Sequence, residues 1–112
     1  MKYVLMYSSR PDLDAAVPEE RRMEVYGQIF QWFETHASVF VDAGAELQGP
    51  ETATTVRLDG GRMMTTDGPF IEGKEVVSGF TEIEVEDLDE ALRMVKTWPA
   101  CPVIEIRPVA DM

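Results

Sequence analysis

The sequence predicts an α+β fold in which strands and helices follow the order βαββαβ. Three observations carry this reading: an apolar stretch at residues 2–7, two separate helical repeats, and a set of alternating strand signals between and after those repeats. The 112 residues hold enough apolar material for one core, so a single domain covering residues 1–112 is expected.

Residues 2–7, Lys-Tyr-Val-Leu-Met-Tyr, are apolar on both alternating faces, which places this strand centrally in a sheet with material on each side. Pro18 with Glu19 and Glu20 reads as a first helical turn, because proline loses nothing at that position and carboxylates favour the positive end of the helix dipole. The helix is expected to run on to Gly44. Met23, Tyr26, Phe30, Phe33, Ala37 and Phe40 recur at steps of three and four and read as its buried stripe. Val25, Ile29, Trp32, His36 and Val39 form a second stripe beside it, so the apolar arc reaches roughly 200°. A helix on one sheet needs little more than about 100°, and the surplus requires a second helix, another subunit or a ligand.

Residues 54–58 and 62–66 flank Asp59-Gly60-Gly61, a hairpin turn whose residues accept positive φ. Asp67-Gly68-Pro69-Phe70 then breaks the strand, since proline removes a ladder donor, and residues 71–77 read as a mobile loop. Residues 79–86 alternate Thr81, Ile83 and Val85 against Glu82, Glu84 and Glu86, the pattern of a half-buried strand. Asp87 and Glu90 form a capping pattern ahead of Leu88, Ala91, Leu92 and Val95, and Pro99 closes that second helix. Residues 103–109 make the last strand, with Ile104 and Ile106 towards the core and Glu105 and Arg107 away from it. There is room for a further short strand near residues 46–48. The order is ferredoxin-like, with both helices on one face of the sheet. The other face then carries Glu82, Glu84, Glu105 and Arg107, and closing two such faces together gives a homodimer.

Against 10 basic side chains stand 21 acidic ones, a net charge of −11 that repels polyphosphate and anionic lipid, so nucleic acid and membrane are not expected partners. Cys101 is the only cysteine, no run approaches the ~18 apolar residues of a spanning helix, and the start lacks a signal-peptide pattern. A soluble, cytoplasmic protein is expected.

Asp67-Gly68-Pro69-Phe70, Lys74-Glu75, Gly79-Phe80, Ile83-Glu84-Val85 and Asp87-Leu88-Asp89-Glu90-Ala91-Leu92 together resemble the YCII-related family, in the branch marked by its Asp-Gly-Pro-Phe motif. Residues 2–7 and 105–109 fit as well, so the resemblance covers nearly the whole chain. It implies a ferredoxin-like, dimeric α/β barrel, bacterial and cytoplasmic, with members often encoded near extracytoplasmic-function sigma factors. It implies little about chemistry. Relatives nearer the family's namesake carry a proposed His and Asp acid/base pair, but here the matching stretches are Tyr26-Gly27-Gln28 and Thr97-Trp98-Pro99, and His36 lies too far along the helix. The pair is therefore not carried over. Ser78 and Cys101-Pro102 also depart from the branch, which more often has Gly and Gly-Ser there.

The candidate site is built on that motif. Asp67 is a candidate general base or a ligand acceptor, with an Asx-type turn as its structural alternative; Gly68 and Pro69 shape the backbone, and Phe70 supplies an apolar wall. Glu75 is a second acid/base candidate and Lys74 a ligand contact, or the two form a solvated pair. Tyr7 points its hydroxyl into a pocket or serves as an interface aromatic. His36 reads as a satisfied core or interface side chain, or as a group titrating near neutral pH. One His and one Cys cannot make a zinc site, and no phosphate cradle, nucleophile elbow or dinucleotide fingerprint occurs, so no metal or cofactor is expected. Glu82, Glu84 and Glu105, with Arg107 and Arg57 near them, form a solvated strand face or a site for a hard cation. Three readings stay open: a small-molecule-binding protein with or without acid/base activity by Asp67 or Glu75, a non-catalytic interaction module in a sigma-factor circuit, and a purely structural oligomer with no pocket.

Overall fold

A computed structural model of the chain describes residues 1–70, 73–100 and 103–111. The elements are β1 (Lys2–Ser9), α1 (Pro11–Asp14), α2 (Glu19–Thr35), β2 (Phe40–Glu46), β3 (Thr54–Asp59), β4 (Arg62–Asp67), β5 (Val76–Glu84), α3 (Leu88–Val95) and β6 (Val103–Pro108). Four strands form one antiparallel sheet in the order β2-β5-β1-β6, and β3 and β4 pair with each other as a separate ribbon. This mixed α+β arrangement is compatible with a ferredoxin-like fold.

Strand β1 lies centrally, as its apolar content requires. Its residues Tyr3, Leu5 and Tyr7 are buried together with Ile83 and Val85, and Trp32 of α2 and Ala91 and Met94 of α3 cover them. Both long helices therefore sit on one face. Among the described residues the opposite face has no cover in the single chain, where Val4 and Met6 are only half-buried. The alternation in β5 is as expected, with Thr81, Ile83 and Val85 inward, although the strand begins earlier, at Val76.

The long helix is shorter than its apolar repeat suggests. It stops at Thr35, a three-residue 3-10 turn follows at Ala37–Val39, and Phe40–Glu46 is the second strand of the main sheet rather than the end of a helix. Helical spacing alone extends through Phe40, but pairing with β5 gives Phe40 and Val41 a place in a strand, since β-branched and aromatic residues suit a pleated surface. Gly44 does not cap a helix. It occupies a bulge in β2 at φ +66°, fixed by a 2.7 Å hydrogen bond from its N–H to the Asp42 carboxylate. The strand anticipated near residues 46–48 is thus the end of a longer one. A second correction follows from the same helix: Val25, Ile29, Trp32 and His36 face the sheet, while Met23, Tyr26 and Phe30, read as the buried stripe, are 66%, 57% and 68% exposed.

Gly27 stands in the middle of α2 with no heavy atom within 4 Å of the place a Cβ would take. Gly27→Ala should therefore stabilise the chain by about 0.5–1 kcal/mol through reduced backbone entropy of the unfolded state. Urea denaturation showing a lower midpoint for this variant would mean that the helix face is occupied.

The hairpin forms as its turn chemistry dictates, with φ +55° at Gly60 and +83° at Gly61. Its strands lie outside the main sheet, so Arg57 does not share a face with Glu82, Glu84 and Glu105; its guanidinium sits 4.8 Å from the ring centre of Phe70. Val56, Leu58 and Met63 on one side of the ribbon are at least half exposed. The projecting ribbon agrees with a Cα radius of gyration of 16.2 Å, against about 13 Å for a compact domain of this length. The cap of α3 is as read, the Glu90 N–H donating to Asp87 Oδ1 at 2.9 Å. Of the loop read over residues 71–77, residues 71 and 72 lie outside the described residues, and Val76 and Val77 already pair in β5 with Ser9 and Ser8. Cys101 and Pro102 also lie outside them. No helix among the described residues is long and apolar enough to cross a membrane.

Candidate functional site

The uncovered sheet face is ordered from one end to the other. Cross-strand partners point to the same side, so Val103, Ser8 and Val77 form one row, and Glu105, Met6, Phe80 and Ala45 form the next. Arg107, Val4, Glu82 and Asp42 follow, and Lys2 and Glu84 close the series. Apolar side chains therefore concentrate where β1 ends and β5 begins, and charge concentrates at the far end. Phe80 and Val77 are 43% and 49% exposed, large apolar groups left in water by one copy. Glu105 has a loose ion pair with Arg107 at 3.8 Å, both well exposed. Among the described residues no group of three or more acidic, histidine or cysteine side chains is placed to hold a metal ion.

The Asp67-Gly68-Pro69-Phe70 turn follows β4 and precedes β5 in the chain. Its anchors are the Gly68 N–H donating to Ala53 O at 2.7 Å and the Thr55 hydroxyl donating to Gly68 O at 2.6 Å. Asp67 is exposed, and among the described residues no hydrogen bond to its carboxylate holds the turn. Phe70 is 64% exposed beneath Arg57. Lys74 and Glu75 are exposed and make no ion pair with each other. Glu75 bears on Arg10, whose guanidinium is held above its ordinary range first by its hydrogen bonds to Asp12, then by the charges of Asp12 and Glu75. The Asp12 carboxyl is correspondingly held low by the Arg10 hydrogen bond.

Tyr7 sits apart from the turn residues. It is buried on the helix side, its hydroxyl 2.9 Å from Thr81 Oγ1 and its ring 4.6 Å from that of Trp98. Trp32, Phe33, Phe40 and Trp98 complete one aromatic cluster around it, and Trp32 Nε1 donates to Met94 O and Thr97 Oγ1 at 3.3 and 3.0 Å, tying α2 to α3. The structure thus brings Asp67, Gly68, Pro69 and Phe70 together and leaves Tyr7 in the core. The role of Thr81 as partner to Tyr7 escaped the sequence reading, although its inward position in β5 was the signal for it.

The helix side carries two open hollows of about 540 and 230 Å³, and His36 and Arg93 line both. His36 is half-buried against the Trp32 ring, 5.0 Å between centres, and among the described residues neither of its ring nitrogens has a hydrogen bond. Nothing in the sequence singled out Arg93, because the meeting of the end of α2 with the middle of α3 is a tertiary fact.

The family model described as the YCII-related domain matches residues 1–112. An uncharacterized protein of Rhizobium meliloti (strain 1021) is 36% identical over 80 residues, a match spanning 63% of this chain and 64% of that protein.

Proposed function

Because the chain belongs to the YCII-related domain family, we propose that it acts as a cytoplasmic bacterial homodimer whose open sheet faces close on each other into an α/β barrel. A small molecule binds at the apolar end of that space, beside the Asp67-Gly68-Pro69-Phe70 turn characteristic of one branch of the family. The observation that carries this reading is the segregation of Val77, Val103, Met6 and Phe80 at one end of an uncovered sheet. Two such ends brought together remove that surface from water at roughly 25 cal/mol per Å², and the exposure of Asp67 and of the Phe70 ring leaves both available to a ligand in this reading. In this reading Asp67 or Glu75 supplies acid/base chemistry, Tyr7 supports the strand behind the site, and Lys74 adds a cation to a ligand held against Gly68, Pro69 and Phe70.

The test is a melting-temperature screen of small organic acids and amines, followed by titration of whichever compound raises the midpoint. Asp67→Ala should weaken its affinity by about tenfold or more, the value of one hydrogen bond to a charged group. The apo variant should melt with the wild type, since no hydrogen bond to that side chain holds the turn. Unchanged affinity would remove the turn from the site.

The exposed stripe of Met23, Tyr26 and Phe30 supports a second reading, a non-catalytic interaction module whose partner belongs to a sigma-factor circuit. Loss of a stoichiometric partner on Phe30→Glu, with ligand affinity unaltered, would favour it.

A further inference from the structure

We infer that the groove between α2 and α3 is a binding site for a small monoanionic carboxylate carried on an apolar body, on the helix side of the sheet and independent of the site proposed above. The two hollows meet at His36 and Arg93, which line both. Arg93 is exposed and has neither a hydrogen bond nor an ion pair among the described residues. The carboxylate nearest along its own helix is already engaged: Glu90 Oε2 accepts the Glu86 N–H at 2.6 Å, where it caps α3. His36 presents an N–H in either protonation state, and both ring nitrogens lack partners among the described residues. Gln28 and Gln31 add amide donors along the wall.

A guanidinium fork with an adjacent imidazole matches the two oxygens of a carboxylate. The same fork accepts phosphate, but a chain of net charge −11 repels a dianion more strongly than a monoanion. Groups that oppose an anion here include Glu90, Asp89 one turn before Arg93, and the carbonyl end of α2. Glu90 is held by the Glu86 N–H at the start of α3, and of the last carbonyls of α2 that of Trp32 accepts the His36 N–H. With the carboxylate at the junction, the remainder of the ligand lies in the larger hollow along the rim of Trp32 and Pro99.

Titration of the isotopically labelled protein with benzoate, followed by amide chemical shifts, tests the site. Saturable shifts are expected at residues 28–36 and 90–97, leaving the hairpin unmoved. Arg93→Gln should raise the benzoate Kd by at least about tenfold, as loss of a charge-assisted pair implies, and should keep the wild-type melting temperature because the side chain has no partner to lose. Inorganic phosphate should bind more weakly than benzoate. The inference is overturned if benzoate produces no saturable shifts there, if Arg93→Gln binds it equally well, or if phosphate binds as tightly.

Discussion

Trp32→Ala is expected to cost about 3–5 kcal/mol, the range for deleting a buried aromatic side chain, because the remaining groups cannot collapse into the space it leaves. Trp32 is 5% exposed and its ring lies within 6 Å, centre to centre, of Phe33, His36, Phe40 and Trp98. Its Nε1 is also the bond from α2 to the carbonyl of Met94 and the hydroxyl of Thr97. Thermal unfolding should show a midpoint lower by roughly 12–20 °C for a domain of this size. Trp32→Phe keeps one aromatic ring in the cluster but drops the N–H bond and part of the packing, while the Thr97 hydroxyl still donates to Met94 O at 2.9 Å. Its cost should be about 1–2 kcal/mol. An alanine variant within 1 kcal/mol of wild type, by order of magnitude, would show that the cluster is not the core of the fold.

Gly44→Ala should be the second severe change, at about 2–4 kcal/mol, through positive-φ strain combined with lost strand pairing. A Cβ at residue 44 would lie 1.7 Å from the carbonyl oxygen of Phe80 and 2.6 Å from its carbon, both backbone atoms that cannot swing aside. The residue also holds φ +66°, where an L side chain is strained in its own right. Edge strand β2 must therefore lift from β5 around the bulge. Amide exchange should accelerate at residues 79–82 and at 45–47, with β1 and β6 less affected. Unaltered protection there, together with wild-type stability, would place the bulge elsewhere.

These two residues also mark what was legible in the sequence. Alternation in residues 79–86 correctly places Thr81, Ile83 and Val85 inside, since period two needs only local information. The hairpin was equally plain, because Asp59-Gly60-Gly61 suits a turn with two positive φ values. Strand β2 was hidden. Its Phe40 continues a helical repeat begun at Met23, and only pairing with β5, some forty residues later, decides for extended backbone. The same long-range choice left Met23, Tyr26 and Phe30 of the first stripe in solvent while Phe33 and Phe40 of that stripe still pack on the core: both stripes fit a helix, and only tertiary packing decides between them. The Asp67-Gly68-Pro69-Phe70 turn was readable as a breaker, yet its anchors, Ala53 O and the Thr55 hydroxyl, come from across the hairpin. The groove at His36 and Arg93 was not readable at all, because it exists only where two helices meet on a common sheet.

The central claim is that one copy leaves its sheet face unfinished and a second copy completes it. Static light scattering of the purified chain at micromolar concentration measures this directly. A mass of twice 12.6 kDa, falling to a single 12.6 kDa in Phe80→Glu, is the predicted result. A wild-type protein that stays at 12.6 kDa across that range, with Phe80 and Val77 freely accessible to solvent, would contradict it.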